Sequence, residues 1–169
     1  MRKLKTDRGF TFIEIILYVS IVSIILVALV PFAWNVIGGS VKSSAEQEVN
    51  SQARFISERI KYEVRNADGI NSVAAASISL DPPGTSNDPT IIDLSGGRIR
   101  IKLGAAADVD LNSTDTNITS LIFTNYTSGD NKTKHIQFVF VIDDNFGSGR
   151  TEYDVPAQTI EGSAEVRSN

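Results

Sequence analysis

The chain has 169 residues, is 41% hydrophobic, contains no cysteine and carries 16 Lys+Arg against 20 Asp+Glu, a formal net charge of −4. That length suits one ordinary domain with an appendage, not two full domains. Without cysteine there is no disulfide scaffold, no thiolate zinc site and no cysteine nucleophile. The single histidine leaves little room for a His-based triad or a multi-His metal site, and the acidic balance argues against a dedicated nucleic-acid binder.

The apolar residues are unevenly placed. Phe10 to Trp34 spans 25 residues, of which 20 are hydrophobic, and Ile15 to Trp34 is a run of 20 residues without a charge. A helix of that length rises roughly 30 Å, the thickness of a bilayer's hydrocarbon core. Only Ser20, Ser23 and Pro31 interrupt it. Arg2, Lys3, Lys5 and Arg8 precede the run, opposed only by Asp7, and no charge follows it until Lys42. This asymmetry places the N-terminus in the cytoplasm and exports the rest. Residues 35–169 hold 12 Lys+Arg and 18 Asp+Glu, so the exported part is at −6. A cleaved secretory signal is the rival reading. It calls for a shorter apolar stretch of about 7–15 residues. Gly38-Gly39-Ser40 is a weak cleavage candidate, and no cysteine is present to carry a lipid.

Glu14 stands at the edge of the apolar segment. An ionised carboxylate within a membrane costs roughly 2.5–3.5 kcal/mol on insertion scales, which makes it a candidate functional residue. The alternative is that it sits at headgroup level and reaches water. Its setting is Lys5-Thr6-Asp7-Arg8-Gly9-Phe10-Thr11-Phe12-Ile13-Glu14. This resembles the class III signal of type IV prepilins and pseudopilins: a short basic leader, Gly, then Phe-Thr-x-x-Glu opening a hydrophobic helix. The resemblance covers the leader and the 25 residues after it.

The resemblance implies cleavage after Gly9 by a membrane-embedded prepilin peptidase and N-methylation of the new Phe10 amine. It implies that Glu14 serves assembly by pairing with an N-terminal amine, within one chain or from a neighbour. A small glycine lets an extended backbone approach an active site closely, which agrees with cleavage at Gly9. Glu14 lies four residues beyond Phe10, about one helical turn away, so opposite charges there would neutralise each other. Pro31 removes a helical N–H and crowds the carbonyl of Val27, so a kink or loosened turn is expected. Related pilins carry a proline at this distance from the cleavage point. An incidental kink, accommodated by neighbouring groups, is equally consistent with the residues.

From Trp34 the apolar positions narrow to a stripe: Trp34, Ile37, Val41, Ala45, Val49, Ala53, Ile56, Ile60, Val64 and Ala67. Steps of three and four residues are helical. Lys42/Glu46, Arg54/Glu58 and Arg59/Glu63 are candidate i,i+4 pairs, each contributing a few tenths of a kcal/mol. Gly38-Gly39 is an expected soft spot. Asn66-Ala67-Asp68-Gly69 supplies the stop, with Gly69 as C-cap. Phe10 to about Ala67 thus reads as one helix whose second half needs a domain to cover its stripe. The stripe is rich in Ala and lacks a sustained Leu/Ile seam, which disfavours a free coiled coil. Arg54 to Ala67 resembles the end of the long helix in J/W-type minor pilins and pseudopilins.

Beyond Gly69 the pattern turns to period two. Arg98 to Leu103 alternates strictly and reads as a half-buried strand. Leu121 to Phe123 and Ile136 to Ile142 are further strands, the latter apolar on both faces and therefore central. Ser77 to Leu80 and Thr90 to Leu94 are weaker strands. Thr151 to Val155 and Thr159 to Val166 would close the sheet. Asp81-Pro82-Pro83-Gly84 and Asn145 to Gly149 read as loops.

Asp108-x-Asp110-x-Asn112 resembles the start of a calcium loop, but Ser113 stands at the Gly position and Thr119 at the bidentate Glu. Asp143-Asp144-Asn145 with Glu152 and Asp154 also gathers oxygens. Solvated loops are preferred for both, and no metal or cofactor is expected. Asn112, Asn117, Asn125 and Asn131 each begin an N-x-S/T sequon, as chance allows in an Asn/Thr-rich segment. His135 reads as an edge histidine. Phe123, Tyr126, Phe138 and Phe140 can in principle stack bases, but residues 68–169 hold 7 Lys+Arg against 14 Asp+Glu, so no strong nucleic-acid signal results.

The expected fold is α+β: a long N-terminal transmembrane and amphipathic helix packed against an antiparallel β-sheet domain, as in pilins. The expected parts are a cleaved leader (1–9), a membrane and filament-core helix (10–34), an amphipathic helix half (35–67) and an exported β-rich domain (68–169). The expected function is non-enzymatic: a structural subunit, preferably minor, of a type IV pilus or type II secretion pseudopilus. Its partners would be other pilin or pseudopilin subunits, the prepilin peptidase, the inner-membrane assembly platform and, before assembly, lipid. It would cross the cytoplasmic membrane once before entering the filament. The alternatives are a major pilin, or an exported binding domain or enzyme that uses the helix only as a tether.

Overall fold

The computed structural model describes residues 9–130, 133–146 and 154–167. Its order is one helix and eight strands: α1 (Phe12–Asn66), β1 (Gly69–Ala74), β2 (Ser77–Asp81), β3 (Thr90–Ser95), β4 (Arg98–Leu103), β5 (Val109–Asp110), β6 (Thr116–Asn125), β7 (His135–Asp144) and β8 (Gln158–Glu165). The chain divides into two compact units, residues 1–40 and 41–169, just after Gly38-Gly39.

The first unit holds the apolar part of α1. None of the described hydrophobic side chains there is buried. The helix continues through Pro31 and through Gly38-Gly39. Ser20 and Ser23 donate their hydroxyls to the carbonyls of Ile16 and Val19 at 2.8 and 2.7 Å, so these polar side chains are satisfied within the helix. Such self-satisfaction is what a lipid environment requires. The segment is long and apolar enough to cross a membrane.

In the second unit, α1 turns one face to the sheets. Ala45, Val49, Ala53, Ile56, Ile60, Val64 and the following Ala67 are buried, as the periodicity requires. The stripe is shorter than expected at its start: Trp34 and Ile37 are exposed, and Val41 is half-buried. Nor is Gly69 a C-cap. Among the described glycines, positive φ is found at Gly84, Gly96, Gly97 and Gly104, and Gly69 instead opens β1. The helix end is closed by the Ala67 N–H on the Val64 carbonyl (3.4 Å) and the Asp68 N–H on the Asp81 carbonyl (2.7 Å). The chain therefore passes directly from helix to strand.

The strands form two antiparallel meanders, β1-β2-β3-β4-β5 and β6-β7-β8, where a single sheet was expected. In the first, Ile92 faces Ile78 on one side and Ile101 on the other, a buried isoleucine row across three strands. Its β3–β4 turn is Gly96-Gly97, with φ of 58° and 76°, the pair of left-handed residues a tight hairpin needs. In the second sheet β7 is central, as its sequence predicts. Ile136, Phe138, Phe140 and Ile142 fill the core side, while Val139 and Val141 on the other face are half-buried.

Two turns of the first sheet, β1–β2 and β3–β4, dock on β6. The Ala75 carbonyl accepts the Phe123 N–H at 2.9 Å, and the Gly97 carbonyl accepts the Ile118 N–H at 2.9 Å. The expected strand at Thr159 to Val166 is β8, paired with β7. Of Thr151 to Val155, residues 151–153 lie outside the described residues, and Asp154 and Val155 are not in a strand.

Candidate functional site

The candidate processing region begins before α1. Gly9, Phe10 and Thr11 are exposed and lie outside the helix, so the Gly9–Phe10 bond is in irregular, accessible backbone. A side chain on Gly9 would meet nothing within 4 Å, so the fold itself does not demand glycine there. Phe10 is 71% exposed and touches Tyr18 edge-on, with ring centroids 6.3 Å apart.

Thr11 precedes the first helical residue, and Glu14 lies in the first turn. The Thr11 N–H donates to Glu14 Oε2 at 3.4 Å, while the Thr11 carbonyl accepts from the N–H groups of Glu14 and Ile15 at 3.1 and 3.2 Å. This is the backbone-directed half of a capping box. The T-x-x-E spacing carries that signal in sequence, alongside the charge argument. The carboxylate also favours the positive end of the helix dipole. The geometry therefore holds Glu14 one residue from the nitrogen that cleavage after Gly9 would free.

The polar clusters of the domain have structural partners. Arg100 donates to Asp93 through Nε (3.1 Å) and Nη2 (2.7 Å), and its Nη1 lies 3.1 Å from Asp108. The hydrogen bond that Arg100 donates to Asp93 leads the causes that raise the Arg100 pKa. Arg98 Nε lies 3.4 Å from Asp110. Asn112 is buried, its amide oxygen accepting the Ile99 N–H at 3.0 Å and its NH2 donating to the Thr116 carbonyl at 3.1 Å. Arginines and backbone thus occupy the oxygens that suggested a calcium loop. The same burial removes the first sequon from the folded surface.

Asp144 accepts backbone N–H groups from Phe146 (3.2 Å) and Val155 (3.0 Å), tying down the loop ends. Glu152 lies outside the described residues, as does Asn131 of the last sequon. Among the described residues no group of three or more His, Asp or Glu could hold a metal ion. His135 is half-buried at the start of β7, 6.5 Å from the Tyr126 ring. Phe123, Phe138 and Phe140 are core residues and not stacking platforms; only Tyr126 of the four is exposed.

On α1, Arg59 pairs with Glu63 at 2.7 Å, as the spacing predicts. Glu58 instead takes Lys61 at 2.9 Å, and that hydrogen bond lowers its pKa. The other expected pairs, Lys42/Glu46 and Arg54/Glu58, are not formed. Desolvation raises the Glu63 carboxyl pKa, opposed by Arg59.

A groove of about 850 Å³ opens between the end of α1 and β8, lined by Tyr62, Arg65, His135, Ser163 and Arg167 among others. A smaller hollow of about 220 Å³ continues it along α1 past Arg54 and Ile160, the two sharing Glu58. Sequence reasoning missed this feature, because its walls come from residues about 100 positions apart.

Comparison with protein-family models, with curated proteins and with solved structures returns no match.

Proposed function

We propose that the chain is a prepilin-like structural subunit, preferably a minor one, of a type IV pilus or type II secretion pseudopilus. In this reading a prepilin peptidase cuts the Gly9–Phe10 bond and methylates the Phe10 amine. The single membrane crossing leaves the β-rich domain exported, and the assembly platform then draws the subunit into the fibre. The observation that carries the reading is the junction itself. An accessible Gly9–Phe10 bond is followed at once by a helix capped by Glu14 and apolar on every side. An apolar helix surface with no covering inside its own chain needs lipid or other helices around it.

The chemistry follows from charge. Cleavage replaces an amide with a cationic amine beside Glu14. Moving either charge alone from water into a helix core is costly, and moving the pair is much less so. Within one chain the pair makes the new N-terminus tolerable in the membrane. Between chains the same pair sets the axial register. The J/W-like ending of α1 favours a minor subunit.

Intact and N-terminal mass spectrometry of the membrane-extracted protein and of sheared surface fibres tests the proposal. The expected result is a chain beginning at N-methylated Phe10, recovered with fibres or pseudopili at low stoichiometry. An intact Met1, or cleavage near Ser40, would overturn it in favour of a tethered or secreted domain.

A further inference from the structure

The edge of a sheet carries unpaired backbone N–H and C=O groups, and folded proteins blunt it with a bulge, a short strand or a covering segment. The two sheets have four edge strands, β1, β5, β6 and β8. Three of them carry such a device. β5 has only two residues. β1 and β6 each break register once, between Ile70 and Ser72 and between Ile118 and Ser120, and the Ala75 and Gly97 carbonyls also occupy N–H groups of β6. β8 has none of them. It pairs with β7 over eight residues without a break in register, and Gln158–Glu165 contains neither Pro nor Lys.

The register fixes which groups of β8 are free. The Val166 N–H donates to the Lys134 carbonyl at 2.9 Å, which extends the β7–β8 ladder by one pair. Bonded and non-bonded pairs alternate along an antiparallel ladder. Residues 158, 160, 162 and 164 therefore bond to β7, while Thr159, Glu161, Ser163 and Glu165 turn their N–H and C=O groups outward. The other side of β7 agrees, since the His135 carbonyl accepts the Tyr126 N–H at 2.8 Å. Among the described residues no strand lies beyond β8 to take the outward groups. Space for one lies alongside: the groove of about 850 Å³ is walled by Tyr62 of α1 and by Ser163 and Glu165 of β8, and the hollow of about 220 Å³ reaches Ile160.

The groove lining carries both signs, Glu58 and Glu165 with Arg65 and Arg167, so the groove as a whole selects no net charge. The edge is more specific. Thr159, Glu161, Ser163 and Glu165 are exposed on one face, and Ile160 and Ala164 turn to the other. Glu161 lies opposite Val139 and Glu165 opposite His135, and among the described residues neither carboxylate has a cation within ion-pair distance. We propose that the β8 edge takes an extended segment of another protein as an added strand, one that alternates apolar with basic residues. The outward backbone groups supply the ladder. Basic positions of the added strand lie beside Glu161 and Glu165, a favourable cross-strand pairing, and apolar positions cover Ile160 and Tyr62. A second β8 is the wrong occupant, because it would set Glu161 and Glu165 against their own copies, and like charges placed opposite each other are destabilising. The proposal does not depend on the assembly reading.

A short end-blocked peptide alternating valine with lysine tests this on the full chain in detergent. Binding is read from the anisotropy of labelled peptide, and hydrogen exchange is resolved to single amides. The expected result is saturable binding with new protection of the outward amides of Thr159, Glu161, Ser163 and Glu165, whose alternate neighbours are already protected by β7. Methylating the peptide's amide nitrogens keeps its charge and removes its donors, and should weaken binding by about tenfold or more. A peptide alternating valine with glutamate should bind more weakly than the lysine peptide, and Glu161→Lys with Glu165→Lys should invert that preference. Ser163→Pro removes one outward N–H and leaves the β7 ladder intact, so it should weaken binding while the urea midpoint shows the domain still folded. No saturable binding of the lysine peptide, equal binding of its N-methylated form, or binding without protection of the outward amides would each overturn the proposal. Processing at Phe10 and recovery in fibres are read separately and bear on the assembly reading alone.

Discussion

The Glu14 carboxylate stands 3.4 Å from the backbone N–H of Thr11, as the capping group of the helix it opens. Glu14 thus has two separable jobs, closing the helix start and carrying a negative charge. Gln keeps the first and loses the second, because either side chain completes a capping box. Glu14→Gln should insert, be cut after Gly9 and retain full helicity, yet fail to enter fibres. Glu14→Ala should weaken the helix start as well, by about 0.3–1 kcal/mol. Fibre fractions probed alongside the N-terminal mass check this. Normal incorporation of Glu14→Gln would show that capping, and not charge, is what the position supplies.

Gly162 faces Phe138 across the β7–β8 pair, and a Cβ built on it would fall 2.2 Å from the ring. The ring is fully buried and has no free direction in which to move. Gly162→Ala should therefore cost about 1–3 kcal/mol, the usual range for overpacking. In the Phe138→Leu background the same change should cost less, a coupling that a double-mutant cycle on the full chain in detergent measures.

Asn112 joins the first sheet to the second through one buried amide. Asn112→Ala leaves the Ile99 N–H and the Thr116 carbonyl without their partner, at about 1–3 kcal/mol. Asn112→Asp keeps the acceptor for Ile99 but places carboxylate oxygen against carbonyls, so it should be at least as damaging. Urea midpoints of the three proteins order them.

The long helix and its buried face were legible because periodicity reports burial directly, and β7 was legible because a strand apolar on both faces belongs in the middle. Other features were hidden for physical reasons. The residues of β1, Gly69 to Ala74, lack clean alternation because this is an edge strand whose side chains are largely exposed. The division into two sheets depends on pairings between distant segments, which local pattern does not encode. The Gly96-Gly97 hairpin and the Thr11-x-x-Glu14 cap were not read from the sequence, although a Gly-Gly pair between two strands and a T-x-x-E spacing before an apolar run are local signals of each. Asp108, Asp110 and Asn112 looked like ligands because a sequence shows spacing and not the arginines that come to lie across the sheet. The groove was illegible, since Tyr62 and Ser163 meet only in the fold.

Glu63 ties pH to stability. It is buried beside Arg59, and desolvation outweighs the ion pair, raising its pKa above 4.5 in the folded chain. The folded state therefore holds this proton more tightly than the unfolded state does. Between 4.5 and the raised folded value the native chain binds more protons, so this group's contribution to stability falls as pH rises. Below 4.5 both states are protonated and the loss is absent. Glu63→Gln mimics the protonated form and removes this dependence. The difference in unfolding midpoint between Glu63→Gln and the unmodified chain should move in the variant's favour from pH 4 to pH 7, on the order of the shift itself. A difference that moves the other way would mean that the Arg59 pair, and not desolvation, governs the site.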